Sequence, residues 1–587
     1  MILQALNRYY DSLVIQGELE RQGWQPVNVS YALRIDDEGQ LIQVLPLLNE
    51  VERNKKKVFI PRKINLPLRQ KKSSGILANF LCDNSSYIIG VDTKGKPERT
   101  LKCFEECKSL HNRILAEVDS VFARSLVRFF NTWNPAIARD NEILKPFLDE
   151  LVDGANLIFV HTDGQFIHED PKIQKAWDEY CANSSNDELR RCLVTGEMAP
   201  VARIHPNIAG VPGGQSSGTS LVSFNKRAFE SYGHDDDQGL NAPVSVNAAL
   251  AYSAALNYMI ATQGHHFRLS DTMIVFWAEN GGSEYAPCFA AMLGDDIEIN
   301  DNDIYEALRN LSAGRHFMWN ETDLDPDEKF YILGLAPNAA RLSVRFFLQN
   351  TFGKFADNMR AHHERLQITK PNNDSRRTLS FRHLLDETVN QKSKDKTPSP
   401  LLSGSLTRSV LMGLPYPVLL YEQVELRIRA EHQISRGKAA IIKAFLMKNT
   451  QSGNQYDRYE EVLSVDLNEN TSYLPYLLGR LFATLEGLQK VANPGINATI
   501  KDRFFNAACA TPGIVFPQLI KLAQAHLKKL GTGEKEGLRV FYDKMIGSIM
   551  MKIEKDYPAR LNLYDQGIFQ LGYYHQVQSL YAKKEDK

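Results

Sequence analysis

The sequence predicts an α+β protein, with a mixed α/β N-terminal body followed by an α-helical C-terminal bundle. Three observations carry this. Short alternating apolar runs bounded by turn residues recur before residue 400. One-sided apolar spacing of three and four residues dominates after residue 450. A chain of 587 residues exceeds what one core organises, so several domains are expected. The expected segments are 1–130, an α/β part with a basic arm at 51–72; 131–400, a mixed α/β body with a glycine-rich loop at 213–218; 401–449, a basic helical junction; and 450–587, the bundle.

The elements follow in order. MILQALNRYYDSL carries Arg8 and Asp11 inside an apolar pattern, which makes it an amphipathic helix and not a secretion signal. Val29, Tyr31, Leu33 and Ile35 alternate with other residues, Asp36 to Gly39 turn the chain, and Leu41 to Leu45 return it, so a hairpin is predicted. A short strand is expected at Tyr87–Gly90, and helices around a strand at Leu157–Val160 across 97–195. The block from Cys192 to Asn280 is mixed, with a helix near Val244–Thr262 and a strand-like alternation at Ser220–Phe224. Another strand lies at Phe330–Leu333, and the polar ETVNQKSKDKTPSP stretch at 387–400 suits a linker. Beyond it, Leu474, Leu477, Leu478, Leu481, Leu485 and Leu488 share one helical face. Leu519, Leu522 and Leu527 begin a further helix, and Leu538, Phe541, Met545, Ile549 and Ile553 mark another that Pro558 stops.

Composition narrows the classes. Hydrophobic content of 43% and charged content of 24% are those of an ordinary globular protein. No apolar run approaches bilayer-spanning length, so no membrane association is expected. Seven irregularly spaced cysteines fit a reducing, cytoplasmic compartment, and the lone Cys103–Cys107 pair is weak support for a metal. The net charge of −1 conceals a concentration: from Val51 to Lys72, nine basic residues face one acid, Glu52. Interleaved Val58, Phe59, Ile60, Pro61 and Pro67 make this an ordered arm and not a tail, and such a patch is the footprint of a polyanion partner.

The chemistry-bearing motifs are imitations. Gly213 to Gly218 has phosphate-loop spacing, but Thr219 and Ser220 stand where Lys-Ser/Thr is required. Gly214-Gln215-Ser216-Ser217-Gly218 fits the nucleophile-elbow pattern, yet His205-Pro206-Asn207 and Pro212 make a poor preceding strand. The favoured reading is a loop whose bare backbone lets another molecule approach closely. His265-His266 and His362-His363 are adjacent pairs whose side chains diverge, and three successive aspartates at 235–237 cannot all face one ion. No catalytic residue, metal site or cofactor is expected. A second basic group (Arg408, Arg436, Lys438 and Lys443) lies in the helical junction and could track a strand backbone.

The segments SSGILANFLCDN, CLVTGEMAPVARIHPNIAGVPGGQSSGTSLVSFNKRAFESYG, NAPVS, VFWAE, APNAARLSVRFF, RIRAEHQISRGKAAIIKA and INATIKDRFFNAACATP together resemble the large subunit of the type I-C CRISPR surveillance complex (Cascade). The resemblance spans nearly the whole chain in order. It implies a non-nuclease subunit at the foot of a guide-RNA complex, beside the handle-binding subunit and near the backbone and small subunits. Such a subunit reads a protospacer-adjacent motif on double-stranded DNA, aids its opening, holds the displaced strand in the R-loop, and helps recruit the helicase-nuclease in antiviral defence. It also implies that the C-terminal part is made separately as the small subunit, from Met447 or from a non-ATG start such as Val462 or Val465. Guide pairing then supplies most specificity, leaving the protein to read a few base pairs and the backbone. Candidate motif and backbone contacts are Lys55, Lys56, Lys57, Lys71, Lys72, Ser73, Ser74, Asn79, Asn84, Gly213, Gly214, Gln215, Ser216, Lys226 and Arg227. Asn79 and Asn84 could equally cap turns. The competing functions are a serine hydrolase using Ser216 and an assembly scaffold that grips guide RNA alone.

Overall fold

The computed structural model describes residues 1–582 except 54–55, 70–75, 94–95, 184–188, 225, 231–237, 294–316, 320–321, 377, 395, 451–458, 532–534 and 555. The fold is α+β, as the sequence predicts. Two compact units divide the chain. The first comprises Met1–Pro206 and Val222–Ala255, the second Asn207–Leu221 and Leu256–Lys587.

In the first unit, helix Ile2–Ile15 buries Leu6, Tyr9, Tyr10 and Leu13 on one face. Seven strands then build two sheets: β1 (Trp24–Val29), β2 (Tyr31–Ile35), β3 (Leu41–Pro46), β4 (Leu48–Arg53), β5 (Lys56–Pro67), β6 (Asp83–Asn84) and β7 (Asn156–His161). One sheet has the order β3-β2-β7-β6, and the other β1-β5-β4. The predicted hairpin is the antiparallel pair β2–β3, and β7 joins β2 in parallel with Leu33 opposite Phe159. Helices Pro97–Leu115 and Val121–Thr132 supply Phe104, Phe129 and Phe130 to a core that also holds Phe159. The Phe129 and Phe159 rings meet edge to face at 5.0 Å. A two-stranded pair, β8 (Leu189–Arg191) and β9 (Met198–Pro200), lies in the same unit.

The expected strand at Tyr87–Gly90 is instead a helical turn, Ser85–Ile88. A short apolar run does not distinguish the two, and the Asn84 side chain decides by accepting the Ser86 N–H as an N-cap.

The second unit is centred on a sheet of order β10-β11-β14-β15, where β10 is His266–Leu269 and β11 is Thr272–Ala278; the small pair β12 (Phe317–Trp319) and β13 (Thr322–Leu324) precedes β14 (Lys329–Asn338) and β15 (Arg341–Thr351). Every residue of β11 is buried, so this strand reads as a continuous apolar run and not as an alternation. The chain thereafter is helical, and one contiguous core runs from Phe267 on β10 through the helices to Tyr574. The leucine stripe becomes helix Leu474–Ala492, with Leu477, Leu478, Leu481, Leu485 and Leu488 buried.

Candidate nucleic-acid interface

The basic arm folds as a β-hairpin. At twelve residues, β5 is long enough to take two partners in succession. Its first half, Lys56–Pro61, pairs with β4, and its second half, Arg62–Pro67, pairs with β1. The β4–β5 half is therefore a two-stranded ribbon, with Arg53 opposite Lys56 and Glu52 opposite Lys57. Val58, Phe59 and Ile60 explain the choice of strand, since β-branched and aromatic residues suit an extended backbone. Lys56 and Lys57 stand on this ribbon. Lys55, Lys71, Lys72, Ser73 and Ser74 lie outside the described residues. Near the base, Arg62 and Lys63 are exposed, whereas Arg69 lies 3.8 Å from the fully buried Asp83.

The two candidate asparagines do different work. Asp83 accepts the backbone N–H groups of Asn79 and Asn84, each at 2.9 Å, and closes the LANFLCDN segment into a knot. Leu81, at φ +62°, donates its N–H to His111 Nε2 inside that knot. Asn79 is 4% exposed, so its side chain does not reach a base edge in this conformation. Asn84 is committed to the Ser86 N–H at 3.1 Å. The capping alternative thus describes Asn84.

The glycine-rich loop is two linked turns. Gly214 N–H bonds to Val211 O at 3.0 Å, and Gly218 N–H to Gln215 O at 2.9 Å. Gly213 and Gly218 hold φ of +77° and +88°, values an L side chain resists. Asn207 Nδ2 donates to the Ser217 carbonyl, and Ile208 and Thr219 exchange both backbone hydrogen bonds at the neck. The loop docks on the β14–β15 turn: Ser220 N–H bonds to Ala340 O, and Leu342 N–H to Ser220 O. These bonds fix Ser220 as an isolated bridge, so the strand expected at Ser220–Phe224 does not form. Gln215, Ser216 and Ser217 stand exposed at the apex. Ser216 follows no strand and opens no helix, so the strand–turn–helix setting of a nucleophile elbow is absent here. Lys226 and Arg227 are exposed beside the short turn Arg227–Phe229, in the first unit, while the loop belongs to the second.

The second basic group divides. Arg408 is exposed in the last turn of helix Pro400–Leu411. The other three are buried. Arg436 is buried, with its guanidinium 3.5 Å from Asp374 and 2.6 Å from the Arg376 carbonyl. Lys438 is buried in an ion pair with Glu431. Lys443 is 2% exposed, donates to the Arg365 carbonyl at 3.1 Å, and is pushed down to about 8 by burial. Arg436 and Lys438 are paired with carboxylates and Lys443 is turned inward onto a carbonyl, so none of the three is aimed at a phosphate backbone in this conformation.

Over residues 6–581 the chain matches the family of CRISPR-associated proteins described as Cas_Csd1. The chain belongs to that family. No curated protein matches it in sequence. As a Cas_Csd1 protein it is CRISPR-associated. Among the described residues no cluster of three or more His, Cys, Asp or Glu could hold a metal ion. No described helix is long and apolar enough to cross a membrane.

Sequence reasoning passed over one arrangement. Arg62 and Lys63 of β5 share a cleft of about 330 Å³ with Arg21, His168 and Gln174, brought from three other parts of the chain. The clustered charge at 51–72 was the signal available for half of it. Nothing around FIHED marks His168.

Proposed function

We propose that this Cas_Csd1 protein is the large subunit of a type I-C CRISPR surveillance complex, a non-catalytic component that reads a protospacer-adjacent motif. The family match over nearly the whole chain is the observation that carries this reading. The ordered β4–β5 ribbon supports it, because a two-stranded β-ribbon can enter a major groove and its lysines neutralise phosphates. The exposed apex at Gln215–Ser217 adds amide and hydroxyl groups on a backbone stripped of side chains at Gly213 and Gly214. On this reading its partners are guide RNA, the handle-binding, backbone and small subunits, target duplex and the helicase-nuclease, and it works in the cytoplasm.

The test is to assemble the complex with its guide, with and without this chain and any internally started product, and to measure capture of duplexes carrying or lacking the motif. Capture should fail or lose its selectivity when both are left out. Full motif-selective capture without them overturns the reading. A fluorophosphonate probe applied to the same assembly should leave Ser216 unlabelled, and labelling there would restore the hydrolase.

A further inference from the structure

The cleft beside the root of the ribbon is built, not incidental. Arg21 Nη1 donates to Gln174 Oε1 at 2.8 Å, and Gln174 Nε2 donates to the His168 carbonyl at 3.0 Å. This chain of bonds fixes three of the lining residues, and Arg21 is further anchored by an ion pair with Asp178. Arg62 and Lys63 form no ion pair with a described carboxylate and are exposed, so their charges are available. Glu169 is the one carboxylate in the lining, against three cations.

His168 supplies the second, independent observation. It is 6% exposed, and its Nδ1 is buried without a hydrogen-bond partner. A buried polar atom left unpaired is costly, and this one belongs to a residue that lines a polar cleft, where a small shift of the ring lets a ligand complete its bonding. Burial first, and then the Arg62 guanidinium, push the imidazole down to about 4, so it stays neutral near pH 7. A neutral imidazole can carry its proton on Nδ1 and donate it to an anionic oxygen without adding charge.

The geometry points to this cleft as a seat for one phosphodiester group of a nucleic-acid strand, held by Arg62 and by a hydrogen bond from His168 Nδ1, with Lys63 on the other face of the strand adding longer-range attraction. A nucleic-acid phosphate is favoured over a small carboxylate because Arg62 and Lys63 continue along the same strand as Lys56 and Lys57. Five residues of extended strand advance about 17 Å, further than a single small anion reaches, so the length of the strand suits a backbone carrying several phosphates. The assignment rests on the nucleic-acid reading of the chain, but it concerns a backbone-holding site distinct from motif reading.

The experiment uses the full chain and short single-stranded RNA and DNA oligonucleotides of one sequence, each labelled at the 5′ end, with affinity measured over a salt series. Arg62→Ala combined with Lys63→Ala should weaken binding about tenfold and reduce the slope of log affinity against log salt by about 0.7, the value for one lost single-strand phosphate contact. Both positions are exposed, so folding is preserved. His168→Leu should weaken binding a few-fold with the slope unchanged, since it removes a neutral donor. Loss confined to RNA assigns the seat to the guide, loss confined to DNA assigns it to the target strands, and equal loss assigns it to the backbone of either. An unchanged slope in the double variant on both oligonucleotides overturns the seat. Motif-selective duplex capture that persists in that variant would leave the broader function standing.

Discussion

Gly479 and Phe569 bring two helix backbones into direct contact: a Cβ on Gly479 would collide with the Phe569 carbonyl oxygen. The relation is reciprocal, because a Cβ on Gly572 would strike the carbonyl of Tyr476 one turn away. Helices Leu474–Ala492 and Leu563–Tyr581 are therefore locked at a distance only glycine permits. The same close approach lets Arg480 Nε reach Gln576 Oε1 at 3.0 Å and Tyr573 Oη reach Glu486 Oε2 at 2.6 Å.

Two effects oppose each other in Gly479→Ala. Alanine gains about 1 kcal/mol of helix propensity over glycine. Overpacking costs about 1–3 kcal/mol, and here the struck atom is a backbone carbonyl that cannot rotate away. The clash wins, and a net loss of about 1 kcal/mol is expected by denaturant titration. Gly572→Ala should cost a similar amount, and the double variant less than the sum, because one separation of the helices relieves both.

Glu425 gives the same bundle a pH dependence. It is 2% exposed, and burial, outweighing the hydrogen bond from Gln570 at 2.9 Å and the Arg429 guanidinium at 3.9 Å, lifts its carboxyl to about 7. The folded chain therefore holds a proton that the unfolded chain releases near 4.5. Glu425 contributes most below that pH, and its contribution falls as pH rises toward 7, by about 3 kcal/mol in all. Glu425→Gln should be about as stable as the natural chain at pH 5 and more stable at pH 8. Thermal melts at the two pH values check this, and an equal difference at both would count against the buried proton.

What the sequence made legible follows from periodicity. The stripe from Leu477 to Leu488 repeats for three turns, so its helix was evident, and the β2–β3 hairpin was marked by alternation around Asp36–Gly39. Local exceptions were not. Tyr87–Gly90 and Ser220–Phe224 are short runs whose fate is set by single hydrogen bonds, from Ser86 N–H to Asn84 and between Ser220 and the β14–β15 turn. The candidate site was half legible. Charge clustering at 51–72 marked the segment that folds as the β4–β5 ribbon. It could not show that Arg436, Lys438 and Lys443 turn inward, since a buried cation differs from a surface one only in partners such as Asp374 and Glu431 that folding brings near. Gly479 and Gly572 were equally silent, for their meaning lies in a neighbour about ninety residues away.

Asn84→Ala separates capping from base reading. Loss of the bond to the Ser86 N–H should cost about 1 kcal/mol of stability, the usual value for an N-cap. Duplex capture by the assembled complex should then change equally on matched and mismatched motifs. A loss of discrimination of about 1–3 kcal/mol at one base pair would instead make Asn84 a base contact.

Lys443→Met tests the inward lysine. Its ammonium is held at about 8 by burial, so between that pH and its ordinary 10.5 the folded chain binds fewer protons than the unfolded one, and stability rises with pH across this window. Below pH 8 the charged form is retained at a cost, partly offset by its bond to the Arg365 carbonyl. Methionine removes the charge while keeping the length, and should stabilise the chain by about 1–2 kcal/mol at pH 7 after the unpaired carbonyl is counted. The gain should fade toward pH 10. The salt slope of duplex capture should not move in this variant, whereas Lys56→Ala with Lys57→Ala on the ribbon should flatten it by nearly two. The reverse pattern, a flattened slope for Lys443→Met and none for the ribbon pair, would return the strand-binding role to the helical junction and remove it from the hairpin.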